Sequence, residues 1–171
     1  MRRIGFGRVL AAVAVLGLTV VAASADEMTV SAKAKLTGFQ ESPPKLTNGT
    51  GSFHATVTGG TLSYTLTYSG LSSPAVAAHI HFAQTGVNGS VFLFLCGGNG
   101  TPPCPAGGGT VSGTVTAAAI LSVPSQNITA GDLAGAIRIL LSGDAYVNVH
   151  TTNFPGGEIR GQVKAEDDSS D

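Results

Sequence analysis

Apolar and polar residues alternate with a period of two along several short stretches of this chain, and this pattern restricts its fold more than any other feature. The alternation runs through residues 28–36, 52–57, 62–68 and 110–116. Such segments are typical of antiparallel β-strands with one buried face and one face in solvent. The chain also contains 24 Gly and no Trp, and only 11% of its residues are charged, which argues against a helical bundle.

Two further segments, residues 75–82 and 91–95, are more uniformly apolar, as expected for strands that are buried on both faces. Asn88-Gly89 lies between them and is a tight-turn signal, so we expect the two segments to pair as a hairpin. Residues 145–151 and 158–164 predict two final strands, joined by a turn rich in Gly and Pro.

One segment, residues 129–141, has helical rather than strand periodicity. Leu133, Ile137 and Leu140 recur at helical spacing, and Thr129 is expected to cap the helix. About eight strands with regularly spaced turns predict a mainly β fold. We expect an antiparallel β-sandwich or a Greek-key barrel with one short helix.

The first 25 residues have the three parts of an export signal. Arg2, Arg3 and Arg8 form a basic start, an apolar run follows, and Ala23-Ser24-Ala25 supplies a small-residue cleavage site. We expect cleavage near Ala25 and a secreted protein, periplasmic or extracellular. An uncleaved membrane anchor is the alternative, although the apolar run is shorter than the roughly 18 residues that a spanning helix needs.

The remaining residues predict a single domain over 26–165 and a disordered acidic tail over 166–171. After removal of the signal, six Lys and Arg residues face ten Asp and Glu residues, a formal net charge of −4. This balance argues against a nucleic-acid partner. No second apolar run is long enough to cross a membrane, so no transmembrane segment is predicted in the mature chain.

Cys96 and Cys104 enclose a segment made of Gly, Asn, Thr and Pro. In an oxidising compartment this spacing predicts a disulfide that holds a surface loop. Two thiolates without further cysteines make a poor structural zinc site, and the neighbouring residues offer no cation to activate a catalytic thiol.

Four motifs carry a family resemblance. They are Leu-Thr-Gly-Phe-Gln-Glu-Ser-Pro-Pro at residues 36–44, Ala-His-Ile-His-Phe at 78–82, Tyr-Val-Asn-Val-His-Thr at 146–151 and Gly-Gly-Glu-Ile-Arg-Gly-Gln at 156–162. Their order and spacing resemble the CHRD domain, a family named after chordin. The resemblance implies an extracellular β-sandwich-like domain without an agreed catalytic activity. Its partner is then an unidentified extracellular or cell-envelope protein or polymer.

His79 and His81 lie two residues apart on a predicted strand, so their side chains project from the same face. His150, at the end of another predicted strand, is a candidate third metal ligand. Neutral imidazole suits copper and zinc. The alternative is a structural network in which these histidines hydrogen-bond to backbone carbonyls and carboxylates. The sequence leaves both interpretations open.

A copper-dependent redox enzyme is the alternative function, because a His-x-His strand is also similar to the copper-zinc superoxide dismutases. A copper-only site of that kind requires a fourth histidine, and His54 is the one that remains in the sequence. The sequence contains no nucleophile elbow, zinc-protease, P-loop or dinucleotide-binding motif. A non-catalytic binding or structural module is therefore the predicted function.

Arg160 shares a predicted strand face with Glu158, and Glu41 precedes a Pro-Pro turn. Arginine binds carboxylates through two parallel hydrogen bonds. We therefore expect Arg160 to pair with Glu41 or Glu158 and to tie the last strand to the first loop. Presentation of these charged groups to a ligand is the alternative.

Overall fold

A computed structural model describes residues 29–166 of the protein. The predicted export signal and residues 167–171 of the predicted acidic tail lie outside the described residues. Within the described range, no helix is long and apolar enough to cross a membrane.

The alternating segments and the uniformly apolar segments form strands within residues 29–166, with one α-helix among them. The strands are β1 (Thr29–Thr37), β2 (Thr50–Thr58), β3 (Thr61–Ser69), β4 (Ala75–Phe82), β5 (Ser90–Cys96), β6 (Gly109–Val115), β7 (Ala145–Thr151), β8 (Ile159–Gln162) and β9 (Lys164–Glu166), and the helix is α1 (Leu133–Leu141). The last predicted strand, residues 158–164, is divided into β8, which pairs with β7 and at one position with β1, and β9, which pairs with β1.

The strands form one antiparallel sheet in the order β5-β4-β7-β8-β1-β2-β3-β6, with β9 added beside β1. The two ends of this sheet, β5 and β6, approach each other. Between them, Tyr64 on β3 donates its hydroxyl to the backbone oxygen of Leu95 on β5 at 2.9 Å. The sheet is therefore a nearly closed barrel, which confirms the predicted mainly β class with one short helix.

The apolar members of the alternating pattern fill the interior of the barrel. The strand register sets Leu36 beside Gly51 and Phe53 beside Leu66, and the three large side chains are 0–2% exposed. Full burial of such a side chain stabilises the folded state by about 1.5–3 kcal/mol. Most of the stability of the domain therefore comes from this interior.

Strand β7 is buried on both of its faces. Val147 and Val149 belong to the apolar interior, whereas Tyr146, Asn148 and His150 alternate with them and project from the outer face. Loops cover the outer face at this point. Polar side chains are consequently withdrawn from solvent although they lie outside the apolar interior.

The helix begins later than the sequence predicted. Asp132, rather than Thr129, caps α1, since its carboxylate accepts a hydrogen bond from the backbone N–H of Gly135 at 2.7 Å. Thr129 instead accepts a turn hydrogen bond from the Asp132 N–H through its backbone oxygen. Aspartate is among the strongest N-cap residues, and here it occupies the N-cap position instead of the upstream threonine.

The predicted pairing of β4 with β5 is confirmed, but the tight turn at Asn88-Gly89 is not formed. Phe82 pairs with Ser90, so residues 83–89 form a longer loop. Neither Asn88 nor Gly89 has the positive φ that a two-residue turn of that type needs. The Asn88 side chain instead anchors the loop, donating to the backbone oxygen of Ser42 at 3.1 Å.

The predicted disulfide is present between Cys96, at the end of β5, and Cys104. Beyond it, the chain crosses to β6 along the barrel end, where Tyr68 donates its hydroxyl to the backbone oxygen of Pro105 at 2.9 Å. The disulfide therefore lies in the connection between the two ends of the sheet.

Replacement of both cysteines by alanine is expected to lower the free energy of unfolding by about 2–3 kcal/mol, because the disulfide closes a short loop and restricts the unfolded chain. Urea unfolding of the oxidised protein and of the Cys96→Ala/Cys104→Ala variant measures the difference. Reduced wild-type protein is the control and should behave like the variant. Equal stability of the oxidised protein and the variant would contradict this role of the disulfide.

Candidate metal centre

Two neighbouring strands bring the three predicted histidines together. His79 and His81 lie on β4, His150 lies on β7, and the register sets His79 opposite Asn148 and His81 opposite Tyr146. These five side chains project from the outer face of the sheet, because residues two apart on a strand share a face. The three histidines are only 7–9% exposed.

Loops shield this face from solvent. The 83–89 loop joins β4 to β5, and the 152–158 loop joins β7 to β8. The segment after β1 adds a further layer, since Ser42 donates its hydroxyl to the backbone oxygen of Gly86 at 3.1 Å and accepts from Asn88 through its own backbone oxygen. The histidines are thus enclosed by backbone that is itself held in place.

Each covering loop supplies one backbone carbonyl to a histidine. The oxygen of Gly89 lies 3.0 Å from His81 Nδ1, and the oxygen of Pro155 lies 2.9 Å from His150 Nδ1. A carbonyl only accepts hydrogen bonds, so both Nδ1 atoms carry a proton. In a neutral ring the Nε2 atom then holds a lone pair.

The remaining ring nitrogens converge on one point. His81 Nε2 and His150 Nε2 lie 3.0 Å and 2.9 Å from the side-chain oxygen of Asn148, and His79 Nδ1 lies 2.9 Å from His150 Nε2. One ligand atom from each histidine lies within 4.8 Å of the other two. His79 Nε2 is buried without a hydrogen-bond partner. The converging nitrogen and oxygen atoms are of the kinds that bind metal ions, and most of them carry a lone pair and no proton.

Burial keeps the three rings neutral. It lowers the pKa of His79 to about 3, with further lowering from the neighbouring His150 and His81, and it lowers the pKa of His81 to about 4. Burial also lowers the pKa of His150, against the hydrogen bond to Pro155 that raises it. Near neutral pH each ring therefore keeps one nitrogen without a proton. His79 Nδ1 donates to His150 Nε2, and it becomes a ligand atom when its proton moves to Nε2.

Aromatic groups fix the planes of two rings. His81 stacks on Tyr146 with ring centres 4.5 Å apart and an angle of 3°, and His79 meets Phe94 edge to face at 4.3 Å. The guanidinium carbon of Arg160 lies 3.4 Å from the centre of the Tyr146 ring. Cation, phenol and imidazole groups thus pack together, and His81 has little freedom to rotate.

Arg160 has different partners from the carboxylates that the sequence predicted. It is 1% exposed and donates to the backbone oxygens of Gln84 and Val87, at 3.2 Å and 2.8 Å, and to Asn88 Oδ1 at 3.2 Å. Among residues 29–166 the one salt bridge joins Lys33 to Glu166. Arg160 therefore ties β8 to the 83–89 loop through carbonyls, and the expected direct ion pair is not formed.

Glu158 is fully buried and is satisfied by neutral donors. Its carboxylate accepts from the hydroxyls of Thr47, Ser72 and Thr151 and from the backbone N–H of Ser72, at 2.6–2.9 Å. Burial raises the pKa of Glu158, but these hydrogen bonds outweigh it and hold the pKa below its usual value. Glu158 therefore connects two loops to the end of β7.

Glu41, in contrast, is 6% exposed and its Oε1 atom is buried without a hydrogen-bond partner. Burial raises the pKa of Glu41 to about 7, although the positive charges of Arg160 and Lys45 oppose the shift. Arg160 thus influences Glu41 through its field and not through a direct contact.

His54 does not join the other histidines. It lies on β2, opposite Lys33 on β1, and it lines an exposed groove together with Lys35 and Lys164. Within the described residues, the one group of potential metal ligands is formed by His79, His81 and His150. The four-histidine copper site of a dismutase-like enzyme is therefore not assembled.

Residues 32–163 match the family model of the CHRD domain. The chain belongs to the CHRD family. The resemblance predicted from the four sequence motifs is thereby confirmed. No curated protein and no solved structure matches the chain.

The last motif of this CHRD domain packs directly against the histidine cluster. Gly157 has a φ of +119°, and a side chain there would meet the carboxylate of Glu41 and the amide of Asn148. At Gly161 a side chain would collide with the backbone oxygen of Lys35 on β1. Both glycines are required because other groups approach the backbone closely.

Sequence reasoning missed Asn148, which contacts two of the three histidines. The residue lies two positions before His150 in the motif of residues 146–151, so the same alternation that placed His79 beside His81 also places Asn148 on the face of His150. The position of Asn148 in the CHRD motif was visible in the sequence, but without the strand register nothing indicated that it would contact the histidines.

The Arg160→Ala variant should lose roughly 2–4 kcal/mol of unfolding free energy, since it removes three charge-assisted hydrogen bonds and the contact with Tyr146. Arg160→Lys keeps the charge without the planar guanidinium, and its unfolding free energy is expected to lie between those of wild type and Arg160→Ala. Chemical unfolding monitored by circular dichroism gives the unfolding free energy of each protein. An unfolding free energy of Arg160→Ala within error of wild type would contradict the prediction.

Acid should destabilise the metal-free domain through the histidines. Their folded-state pKa values lie below the ordinary 6.5, so the unfolded chain takes up protons first, and stability falls as the pH drops below about 6.5. Glu41 acts in the opposite direction: its raised pKa means that stability falls as the pH rises from about 4.5 through 7. Because three histidines act against one carboxyl group, the net effect of lowering the pH is a loss of stability.

His79→Gln should make the slope of unfolding free energy against pH shallower by about one proton between pH 6 and 4.5. Urea unfolding over a pH series with a chelator present gives the slope, which does not depend on the absolute stability of the variant. His54→Gln, at an exposed position on β2, is the matched control. Identical slopes for His79→Gln and wild type would show that His79 is not held neutral.

Proposed function

We propose that this CHRD domain is a secreted, non-catalytic module that binds one copper or zinc ion through His79, His81 and His150. The observation that carries the proposal is the pair of contacts from Gly89 and Pro155, which fix protons on Nδ1 and direct two Nε2 lone pairs inward. Histidines that bind metals generally donate their other ring N–H to a carbonyl or carboxylate in this way.

The donor set and its spacing favour these metals. Imidazole nitrogens suit copper and zinc, and zinc–nitrogen bonds of about 2.0–2.1 Å separate two tetrahedral ligands by about 3.3 Å. The closest nitrogens, His79 Nδ1 and His150 Nε2, are 2.9 Å apart, and all three lie within 4.8 Å. Closing a separation of 4.8 Å to about 3.3 Å moves each of two nitrogens by less than one ångström, which would admit the ion.

Burial supports a non-catalytic role. The three histidines are 7–9% exposed beneath two loops, whereas a catalytic metal needs an open position for substrate. A closed site stabilises a fold outright, because the unfolded chain does not present the ligands together. Membership of the family and the disulfide support an extracellular location, where the partner is a protein or polymer outside the cell or in its envelope.

Metal content after loading tests the proposal. Protein exported without a His tag is incubated with Zn²⁺ or Cu²⁺, freed of excess ion by gel filtration and measured by elemental analysis. Wild type should retain about one equivalent, and loading should raise its melting temperature. The His79→Ala/His81→Ala variant should retain none.

His54→Ala is the matched control, since it removes a histidine outside the cluster and should leave the bound metal unchanged. Circular dichroism checks that each variant is folded. Absence of metal from folded wild type, or equal retention by the double variant, would overturn the proposal and leave the histidines as a hydrogen-bonded structural network.

A further inference from the structure

The side-chain oxygen of Asn148 occupies a position that hydrogen bonding alone does not explain. It lies 3.0 Å from His81 Nε2 and 2.9 Å from His150 Nε2. Both rings carry their proton on Nδ1, so each Nε2 is an acceptor, and the amide oxygen is also an acceptor. His79 Nδ1 lies 2.9 Å from His150 Nε2 and donates its proton to that lone pair. His81 Nε2 and the amide oxygen remain as two facing acceptors in a site that is nearly closed to water, which is unfavourable unless a cation lies between them.

Rotation of the amide by 180° is the alternative, because the NH₂ group would then donate to both rings. The surroundings of the amide nitrogen oppose it. That nitrogen and the unpartnered Oε1 of Glu41 both border the backbone of Gly157, where a side chain would contact the two groups together. Rotation would bring the amide oxygen toward an acceptor that already lacks a donor.

Two ionisable groups lie on either side of this amide. Glu41 lies on the side of the amide nitrogen and favours an N–H directed toward it, whereas Arg160 lies on β8 opposite Asn148 and directs its guanidinium to the 83–89 loop. Asn148 itself is 3% exposed, so solvent contributes little. The amide oxygen is left pointing at the histidines.

We infer that Asn148 is the fourth metal ligand and binds through Oδ1, so that the site has three imidazole nitrogens and one amide oxygen. The inference rests on the proposed metal-binding function. An oxygen donor favours divalent ions over the soft Cu⁺ ion, which prefers sulfur. The site therefore takes Zn²⁺ or Cu²⁺, and loss of the oxygen weakens the binding of these ions more than the binding of Cu⁺.

Affinities of three variants test the inference. Asn148→Leu has a similar volume without the oxygen, and its Zn²⁺ affinity, measured by competition with a chromogenic chelator, should fall at least tenfold. Asn148→Asp supplies a charged oxygen at the same place and should bind Zn²⁺ at least as tightly as wild type. Asn127→Asp adds the same charge at an exposed position outside the cluster and should leave the affinity unchanged.

The outcomes separate the two proposals. If wild type binds no Zn²⁺, the metal-binding function itself fails. If wild type binds Zn²⁺ and Asn148→Leu binds equally well, Asn148 is not a ligand but the metal site stands.

If Asn148→Leu does not fold, the Asn148→Asp variant provides the test. An amide that donates to the histidines cannot be replaced by a carboxylate, so weaker Zn²⁺ binding by Asn148→Asp would overturn the inference. Cu⁺ affinity reduced as much as Zn²⁺ affinity in Asn148→Leu would overturn the predicted metal class.

Discussion

The structure depends on how a sheet buries polar side chains on its outer face. On β7, Val147 and Val149 enter the apolar interior, whereas Asn148 and His150 point outward and are nevertheless shielded. A buried polar atom without a partner costs about 1–3 kcal/mol, so the covering loops have to deliver hydrogen bonds as well as exclude water. The carbonyls of Gly89 and Pro155 do this for the histidines, and the arrangement fixes the positions of both loops.

The last family motif supplies the anchors for those loops. Glu158 and Arg160 lie two residues apart near the start of β8, yet they hold different parts of the cover: Glu158 binds hydroxyls and one N–H, and Arg160 binds carbonyls. The carboxylate accepts hydrogen bonds from uncharged donors, and the guanidinium donates hydrogen bonds to uncharged acceptors. Two glycines in the same motif let neighbouring groups approach the backbone, so that the anchors and the histidines share a small volume.

Period-two alternation and short apolar runs were sufficient to predict the strands, and the Cys spacing was sufficient to predict the disulfide, because these signals depend on local pattern. The same alternation placed His79 and His81 on one face. The partners of Arg160 were mispredicted, since backbone carbonyls are acceptors that every residue has and no sequence pattern marks the ones that will lie nearby. Asn88-Gly89 has the sequence of a tight turn, but the Asn88 amide is used by a distant loop and by Arg160, and only the fold shows those contacts.

The near closure of the barrel has a consequence for association between copies of the domain. An open sheet ends in two strands with unpaired backbone groups, and such edges invite strand addition by other chains and aggregation. Here the terminal strands, β5 and β6, approach each other and are connected through the Cys96–Cys104 segment, with Tyr64 joining β3 to β5. The disulfide in this connection therefore also helps to keep the two edge strands together. A reducing environment would leave the domain more prone to self-association.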